Sequence, residues 1–271
     1  MKKGAESLPS ATGLSKRIGT AIVVGILVMG LTGLNVLSSI QAVALDLGFY
    51  MAKWVELNIP RSAGMSLDDL EQAARKLLDY FTRKQTTAQL IVSIDKTQRL
   101  LYRENEIAHL EDVRDLFQLG LCAKRVCQGV VFLGAILTIL ISIRKPGDTK
   151  SHRAKETANH PGLTAGLLAA KSLKIAGIIL AAITVLLALP AAFDFTGWWT
   201  NFHLLTFEND LWRLDPENDW LIKIFPEEFF FSAAKRAALY SAAITLSYIA
   251  VGIALGLFVS YFSSNHGKHY L

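Results

Sequence analysis

Four stretches of this 271-residue chain contain no Asp, Glu, Lys or Arg: Ile18–Leu45, Val126–Ile143, Ile175–Phe193 and Ala237–Asn265. A helix rises 1.5 Å per residue, so ~20 mostly apolar residues cross a hydrocarbon layer ~30 Å thick. All four stretches reach or approach that length. Inside lipid every backbone polar group must be satisfied within its own segment, which makes these stretches helices. Pro190, near the end of the third, is tolerated there as a kink or terminus. Hydrophobic residues make up 52% of the chain and charged ones only 19%, against about 25% charged in soluble domains. A soluble globular protein is excluded, and so are collagen, coiled coil and disorder, because the chain has no glycine period or sustained heptad. Two cysteines cannot build a disulfide scaffold.

The net charge of +5 reads as topology rather than as a nucleic-acid surface. The tail 1–17 carries Lys2, Lys3, Lys16 and Arg17. The loop 144–174 carries Arg144, Lys145, Lys150, Arg153, Lys155, Lys171 and Lys174 against only Asp148 and Glu156. Segment 194–236 is acidic, with eight carboxylates in its body against Arg213 and Lys223. The bias of basic residues to the inner face predicts that both termini (1–17 and 266–271) and loop 144–174 are cytoplasmic. Residues 46–125 and 194–236 then face outward, between spans at 18–45, 126–143, 175–193 and 237–265. The expected architecture is an all-α polytopic membrane protein with four transmembrane helices and a mostly helical extracytoplasmic cap. Ala42-Val43-Ala44 resembles a signal cleavage site, but the apolar run before it is far longer than a 7–15-residue signal core, so the first span is expected to be retained.

Outside the spans, Ser66 with Asp69 three residues on is a helix start, and Leu67, Leu70, Ala74, Leu77, Leu78 and Phe81 recur at helical spacing. This predicts an amphipathic helix over 67–83. Gln89–Ile94, followed by Asp95-Lys96-Thr97, reads as a short strand and turn. From Tyr102 the pattern is helical again and runs toward the second span. Pro146-Gly147 and Pro161-Gly162 mark a connector.

Both outer segments hold candidate chemistry. Glu106, His109 and Asp112 are spaced i, i+3, i+6 on a helix, so a carboxylate on either side can reach the imidazole, fix its tautomer and raise its pKa. The bland alternative is a solvated, salt-bridged helix face. In the second segment Trp198-Trp199 stands where the third span ends, as an aromatic belt does. Asn201-Phe202-His203 and Phe207-Glu208-Asn209-Asp210-Leu211-Trp212 follow, in a loop composed to lie at the lipid interface. Here the bland alternative is aromatic anchoring with His203 as a surface residue.

These stretches resemble a known family, the bacterial lipoprotein intramolecular transacylases. The likeness is carried by Arg103-Glu104 and His109-Leu110-Glu111-Asp112-Val113, then Phe202-His203, Phe207-Glu208-Asn209-Asp210-Leu211-Trp212, Leu214-Asp215-Pro216, Asp219, Leu221-Ile222, Phe225-Pro226-Glu227 and Phe229. Met65-Ser66-Leu67-Asp68-Asp69-Leu70 is also similar. The resemblance implies an enzyme of the bacterial cytoplasmic membrane with its active site on the extracytoplasmic face. It would move the sn-2 acyl chain of a diacylglyceryl-Cys lipoprotein to the α-amine of the same Cys, giving a lyso-form N-acylated lipoprotein. The family's two key histidines correspond to His109 and His203. Arg103, Glu106, Asp112, Asn209, Asp210, Trp212 and Asp219 are the expected supporting or substrate-binding residues. The implied partners are a lipidated lipoprotein N-terminus and membrane lipid, with no nucleic acid, obligate protein partner, cofactor or metal.

The chemistry is consistent with such residues. Ester-to-amide transfer is downhill, and the chain has no nucleotide-binding motif. Donor and acceptor belong to one molecule, so near-attack positioning supplies much of the acceleration. An α-amine with a pKa near 8 must lose a proton, which suits a neutral histidine, and Arg103 or backbone donors would hold the oxyanion. Alternatives are a metal-dependent interfacial hydrolase using Glu106, His109 and His203, a transporter, and a non-enzymatic membrane adaptor. The spans hold no ionisable residue and no inverted repeat for a transporter. Cys122 and Cys127 have no paired base, and at five residues apart on a helix they do not form a disulfide. His152, His160, His266 and His269 fall on the expected cytoplasmic side. Finally, His109 precedes Val126 by 17 residues, ~25 Å along a straight helix. Either that helix breaks near Gly120, or Leu116–Ala123 is already at membrane depth, which is the expectation here.

Overall fold

The computed structural model describes residues 11–143 and 160–266. The elements are α1 (Ala11–Ala44), α2 (Leu47–Glu56), α3 (Ile59–Ser62), α4 (Leu67–Phe81), β1 (Ile91–Ile94), β2 (Thr97–Leu100), α5 (Glu104–Ser142), α6 (Pro161–Phe193), α7 (Phe195–Thr206), α8 (Trp220–Ile224) and α9 (Glu227–His266). Helices α1, α5, α6 and α9 are each long and apolar enough to cross a membrane, so the four-span, all-α reading of the sequence holds.

Local signals explain where the elements start. Asp46 caps α2 by accepting from Phe49 N–H at 3.1 Å, Ser66 caps α4 from Asp69 N–H at 3.1 Å, and Asp194 caps α7 from Gly197 N–H at 2.8 Å. Pro161 opens α6, where its missing N–H costs nothing. The four long helices outrun their uncharged stretches, because helix propensity and packing continue past the first charge. Thus Pro161-Gly162, Lys171 and Lys174 belong to α6 and not to a connector; residues 144–159 of that loop lie outside the described residues. Segment 194–236 is similarly built from α7, α8 and the first turns of α9.

The helix expected over 67–83 ends at Phe81, because Thr82 caps it and Arg83 turns left-handed at φ 60°. The strand expected from Gln89 begins at Ile91. The Gln89 side chain instead bonds both the N–H and the C=O of Tyr102, imitating one more rung of the ladder. Its partner strand β2 is an addition to the sequence reading, paired with Val92 opposite Arg99 and Ile94 opposite Thr97. The connecting Asp95-Lys96 has φ 48° and 66°. Two positive φ values make the turn expected after the strand a type I′ hairpin turn. Ala44, the candidate cleavage position, is the last residue of α1. Its carbonyl accepts from Tyr50 Oη at 2.9 Å, and Val43 is buried in the core.

The chain forms two compact units, Met1–Asn35 with Arg125–Ala182 and Ala243–Leu271, and Val36–Lys124 with Ile183–Ala242. In the first, small residues let helices approach closely. A Cβ on Gly33 would meet Cys127 Sγ at 2.5 Å, and one on Gly252 would meet Lys174 Cγ at 2.9 Å and the Ala170 carbonyl at 3.1 Å. Buried Asn35 donates to Thr245 Oγ1 at 3.2 Å, joining α1 to α9.

In the second unit the core is aromatic. Trp54 is fully buried and its Nε1–H donates to the Ile224 carbonyl. Phe49, Tyr50, Phe225 and Phe229 pack around it, with Tyr50 and Phe229 edge to face at 5.1 Å. Lys124 donates to Gln41 at 2.6 Å and Arg236 pairs with Asp46 at 2.9 Å, tying α5 to α1 and α9 to the cap of α2. Helix α5 runs unbroken through Gly120, which removes the first of the two explanations for the distance between His109 and the second span.

The Gly252 contact includes a backbone carbonyl that cannot step aside, whereas a Cβ on Gly256 meets nothing nearer than 3.9 Å. Gly252→Ala should therefore cost about 1–3 kcal/mol and lower the thermal midpoint in detergent, with Gly256→Ala near neutral. Equal midpoints for the two variants would contradict this packing.

Candidate active site

The site is assembled by two carboxylates at helix N-termini. Glu106 is the third residue of α5 and is fully buried. It accepts from Arg103 N–H at 2.8 Å, closing the N-terminus of its own helix, and its other oxygen accepts from Leu221 N–H at the start of α8. One carboxylate thus satisfies orphan amides of two helices and sits at the positive end of both dipoles. Burial is the largest influence on its pKa and raises it. Backbone donors at Arg103, Leu221 and Trp220 oppose that shift, and the neighbouring Asp219 carboxylate adds to it. Asp219, 2% exposed, precedes α8. It accepts from Asn105 Nδ2 at 3.2 Å and from Asp215 N–H at 2.7 Å, and it faces Arg103 at 3.5 Å. These bonds fix the start of α5 against α8.

One turn beyond Glu106 stands His109, 7% exposed. His203 on α7 is 6% exposed. Their ring centroids are 6.3 Å apart. His203 Nδ1 lies 2.8 Å from the Trp199 carbonyl; a carbonyl only accepts, so Nδ1 carries the proton and Nε2 is left with a lone pair. Trp212 stacks on the His203 ring at 4.7 Å, and Trp199 meets it edge-on at 4.5 Å. His109 Nδ1 is buried and has no hydrogen-bond partner among the described residues. An orphaned N–H costs more than an orphaned acceptor, so the proton of a neutral His109 resides on Nε2. Phe207 lies edge-on to the His109 ring at 5.3 Å.

Burial, followed by the neighbouring His203, pushes the pKa of His109 down to about 4, against a smaller opposite pull from Asp112. Burial also lowers His203, opposed by its bond to Trp199. Both rings are therefore neutral at pH 7. This reverses the sequence expectation that flanking carboxylates raise the pKa of His109. Glu106 is spent on backbone amides, and Asp112 accepts from Asn209 Nδ2 at 2.9 Å, so neither carboxylate hydrogen-bonds the imidazole.

The two histidines line one cavity of about 430 Å³, walled by Leu77, Phe81, Leu110, Val113, Leu116 and the rings of α7 and α9, with Thr200, Trp212, Arg213 and Glu227 also in its lining. Of the other expected site residues, Asn209 and Asp112 bond one another and cross-link the two outer segments. Asp210 pairs with Arg213 at 2.8 Å, and Asp219 braces α8. Arg103 does not line this cavity. Its guanidinium is committed to Asp219, and it borders a separate open groove of about 960 Å³ beside Thr87 and Leu100. The sequence reading passed over Arg213, counted there only as a stray base in an acidic loop, as well as the Trp199 carbonyl and Asn105. Among the described residues no three of His, Cys, Asp or Glu come together as a metal-ligand set, and Glu106 has no oxygen directed at the histidines.

The helices and the site define a polytopic membrane protein with two histidines set against one largely apolar cavity. The comparisons make the class specific. The family model for the lipoprotein intramolecular transacylase Lit matches residues 25–230, most of the chain. The chain belongs to this family of acyltransferases. Among solved structures it is similar to the membrane-integral lipoprotein intramolecular transacylase Lit from Bacillus cereus, at 20% identity and TM-score 0.60 over 94% of this chain and 99% of that one. A histidine-to-alanine variant of that enzyme matches at 20% identity and TM-score 0.60, over 90% and 94% of the two chains. At such identity the likeness speaks for the fold. No curated protein sequence matches the chain significantly.

Because both rings are held neutral below the ordinary histidine range, the acid limb of kcat/KM should lie well under pH 6.5. The stability effect has the same origin. The unfolded chain binds protons near pH 6.5 that His109 refuses until about 4, so stability falls as pH drops through that window. A rate profile that declines already between pH 7 and 6.5 would contradict the burial argument.

Proposed function

We propose that the chain moves the sn-2 acyl group of a diacylglyceryl-Cys lipoprotein to the α-amine of the same Cys, leaving a lyso-form N-acylated product. We further propose that it does so on the membrane face opposite the basic 144–174 loop. Family membership supports the reaction. The observation that carries the site assignment is the pairing of His109 and His203, from separate segments, across one apolar cavity.

In this reading the acyl chain occupies the apolar end of the cavity and the ester lies between the rings. His203, with Nδ1–H held by the Trp199 carbonyl, presents Nε2 as the base. The free amine attacks the ester carbon, forming the C–N bond and moving the carbonyl electron pair onto oxygen. Nε2 removes the proton from the attached nitrogen. Collapse re-forms the C=O, breaks the bond to the glycerol oxygen, and returns that proton to the glycerol oxygen from His203. His109, neutral with its proton on Nε2, donates a hydrogen bond to the developing oxyanion; a ring that resists protonation serves as a donor rather than as an acid. Positioning does the rest, because donor and acceptor arrive tethered.

His203→Ala and His109→Ala proteins that fold normally should each lose at least about 100-fold in N-acylated product, read by tandem mass spectrometry on a diacylglyceryl-Cys lipopeptide. Near-wild-type product from either variant would remove that residue from the chemistry. In a background without Cys122 and Cys127, Asp210→Cys should react with an impermeant maleimide from outside intact cells, and labelling only after lysis would reverse the orientation.

A further inference from the structure

We propose that Arg213 is the second oxyanion donor of the transfer reaction, a role the sequence had suggested for Arg103; this rests on the transacylase reading above. Four observations carry it. Arg213 lines the same cavity as His109 and His203, while Arg103 does not. Its Nε edge pairs with Asp210 at 2.8 Å, which anchors the guanidinium and leaves the remaining N–H groups of the fork to other acceptors. The guanidinium carbon lies 4.9 Å over the Trp212 ring, and Trp212 itself stacks on His203 at 4.7 Å. The guanidinium and the imidazole therefore pack against the same indole, which brings the cation to the neighbourhood of the base. The other cation near the start of α5 is bound to buried Asp219, and Glu227, which also lines the cavity, is an anion, so Arg213 is the cation of the cavity lining among the described residues.

The chemistry needs such a group. Attack of the amine turns the ester carbonyl oxygen into an alkoxide-like anion, and collapse returns that electron pair to the C=O as the bond to the glycerol oxygen breaks. Arg213 gains and loses no atom in this cycle. It donates N–H bonds to the oxygen while the charge is present. A neutral His109 supplies one such bond, and the charged fork of Arg213, whose side chain is 59% exposed, supplies a second from the solvent edge of the cavity. Because arginine stays protonated throughout the working range, its contribution is independent of pH. Its pairing with an exposed aspartate keeps the cation in register without burying an unpaired charge.

The test compares wild type, Arg213→Lys and Arg213→Met on a diacylglyceryl-Cys lipopeptide in detergent, with kcat, KM and the pH profile measured for each and folding checked by thermal unfolding. The expected result is a loss of about 10–100-fold in kcat for Arg213→Met, a KM within a few-fold of wild type, and an unmoved acid limb. Arg213→Lys should restore part of the rate, since a point charge replaces the fork but not its geometry. Arg213→Met with wild-type kcat would overturn the proposal. So would a loss confined to KM, or one accompanied by a shifted acid limb, because either means that the residue only holds the loop or the His203 ring. Wild-type protein that makes no N-acyl product would instead refute the transacylase reading, an outcome distinct from any change among the variants.

Discussion

The arrangement depends on a single buried carboxylate. Glu106 closes the N-terminus of α5 and accepts the first amides of α8, so two segments separated by more than 100 residues share one anionic group. Replacing it with a neutral side chain would leave orphan N–H groups at two helix ends. Its cost is visible in its raised pKa, where burial outweighs the donors it gains. That geometry locks the α5 register, and His109 is one turn further on. Asp219, braced by Asn105 and the Asp215 amide, and the Asp112–Asn209 bond repeat the same logic on either side. The charged residues that look catalytic in the sequence are in large part the fasteners that hold two histidines in register.

This division of labour suits the reaction. A transfer within one substrate molecule needs little from the enzyme beyond a dry place, fixed geometry and a proton relay. The cavity supplies the first through Phe, Leu and Trp side chains, and the same burial lowers the pKa of both imidazoles, as the proposed base and neutral donor require. If either carboxylate had contacted His109, as its spacing allows, the ring would be more basic and protonated over more of the working range.

The sequence made the four spans, the α4 cap at Ser66 and the two histidines legible because each is a local or compositional signal. An uncharged run long enough for a bilayer has few alternative explanations. Three matters were not legible, and each is a long-range effect. Glu106 pairs with α8 rather than with the histidine three residues away, which no periodicity reveals. Arg103 and Arg213 are equivalent as letters, and only the fold decides which borders the cavity. The turn at Asp95-Lys96 was read, but its partner strand β2 was not, because Thr97–Leu100 is exposed at every position and shows no in-out alternation. The extent of α6 was underestimated because charge marks where a span ends and not where a helix does, whereas the continuity of α5 from near Tyr102 into the second span was legible.

The most direct measurement of the central claim mixes two lipopeptides in equal amounts, one carrying deuterated acyl chains and the other an isotopically heavy peptide, and follows the N-acylated products by mass spectrometry. Transfer within one bound molecule predicts that each peptide keeps its own acyl chains, with no mixed-label product and no free fatty acid. Mixed-label product would mean that acyl groups leave one substrate before reaching another, and released fatty acid would mean hydrolysis. Either result contradicts a cavity built to move one chain between two atoms of the same substrate.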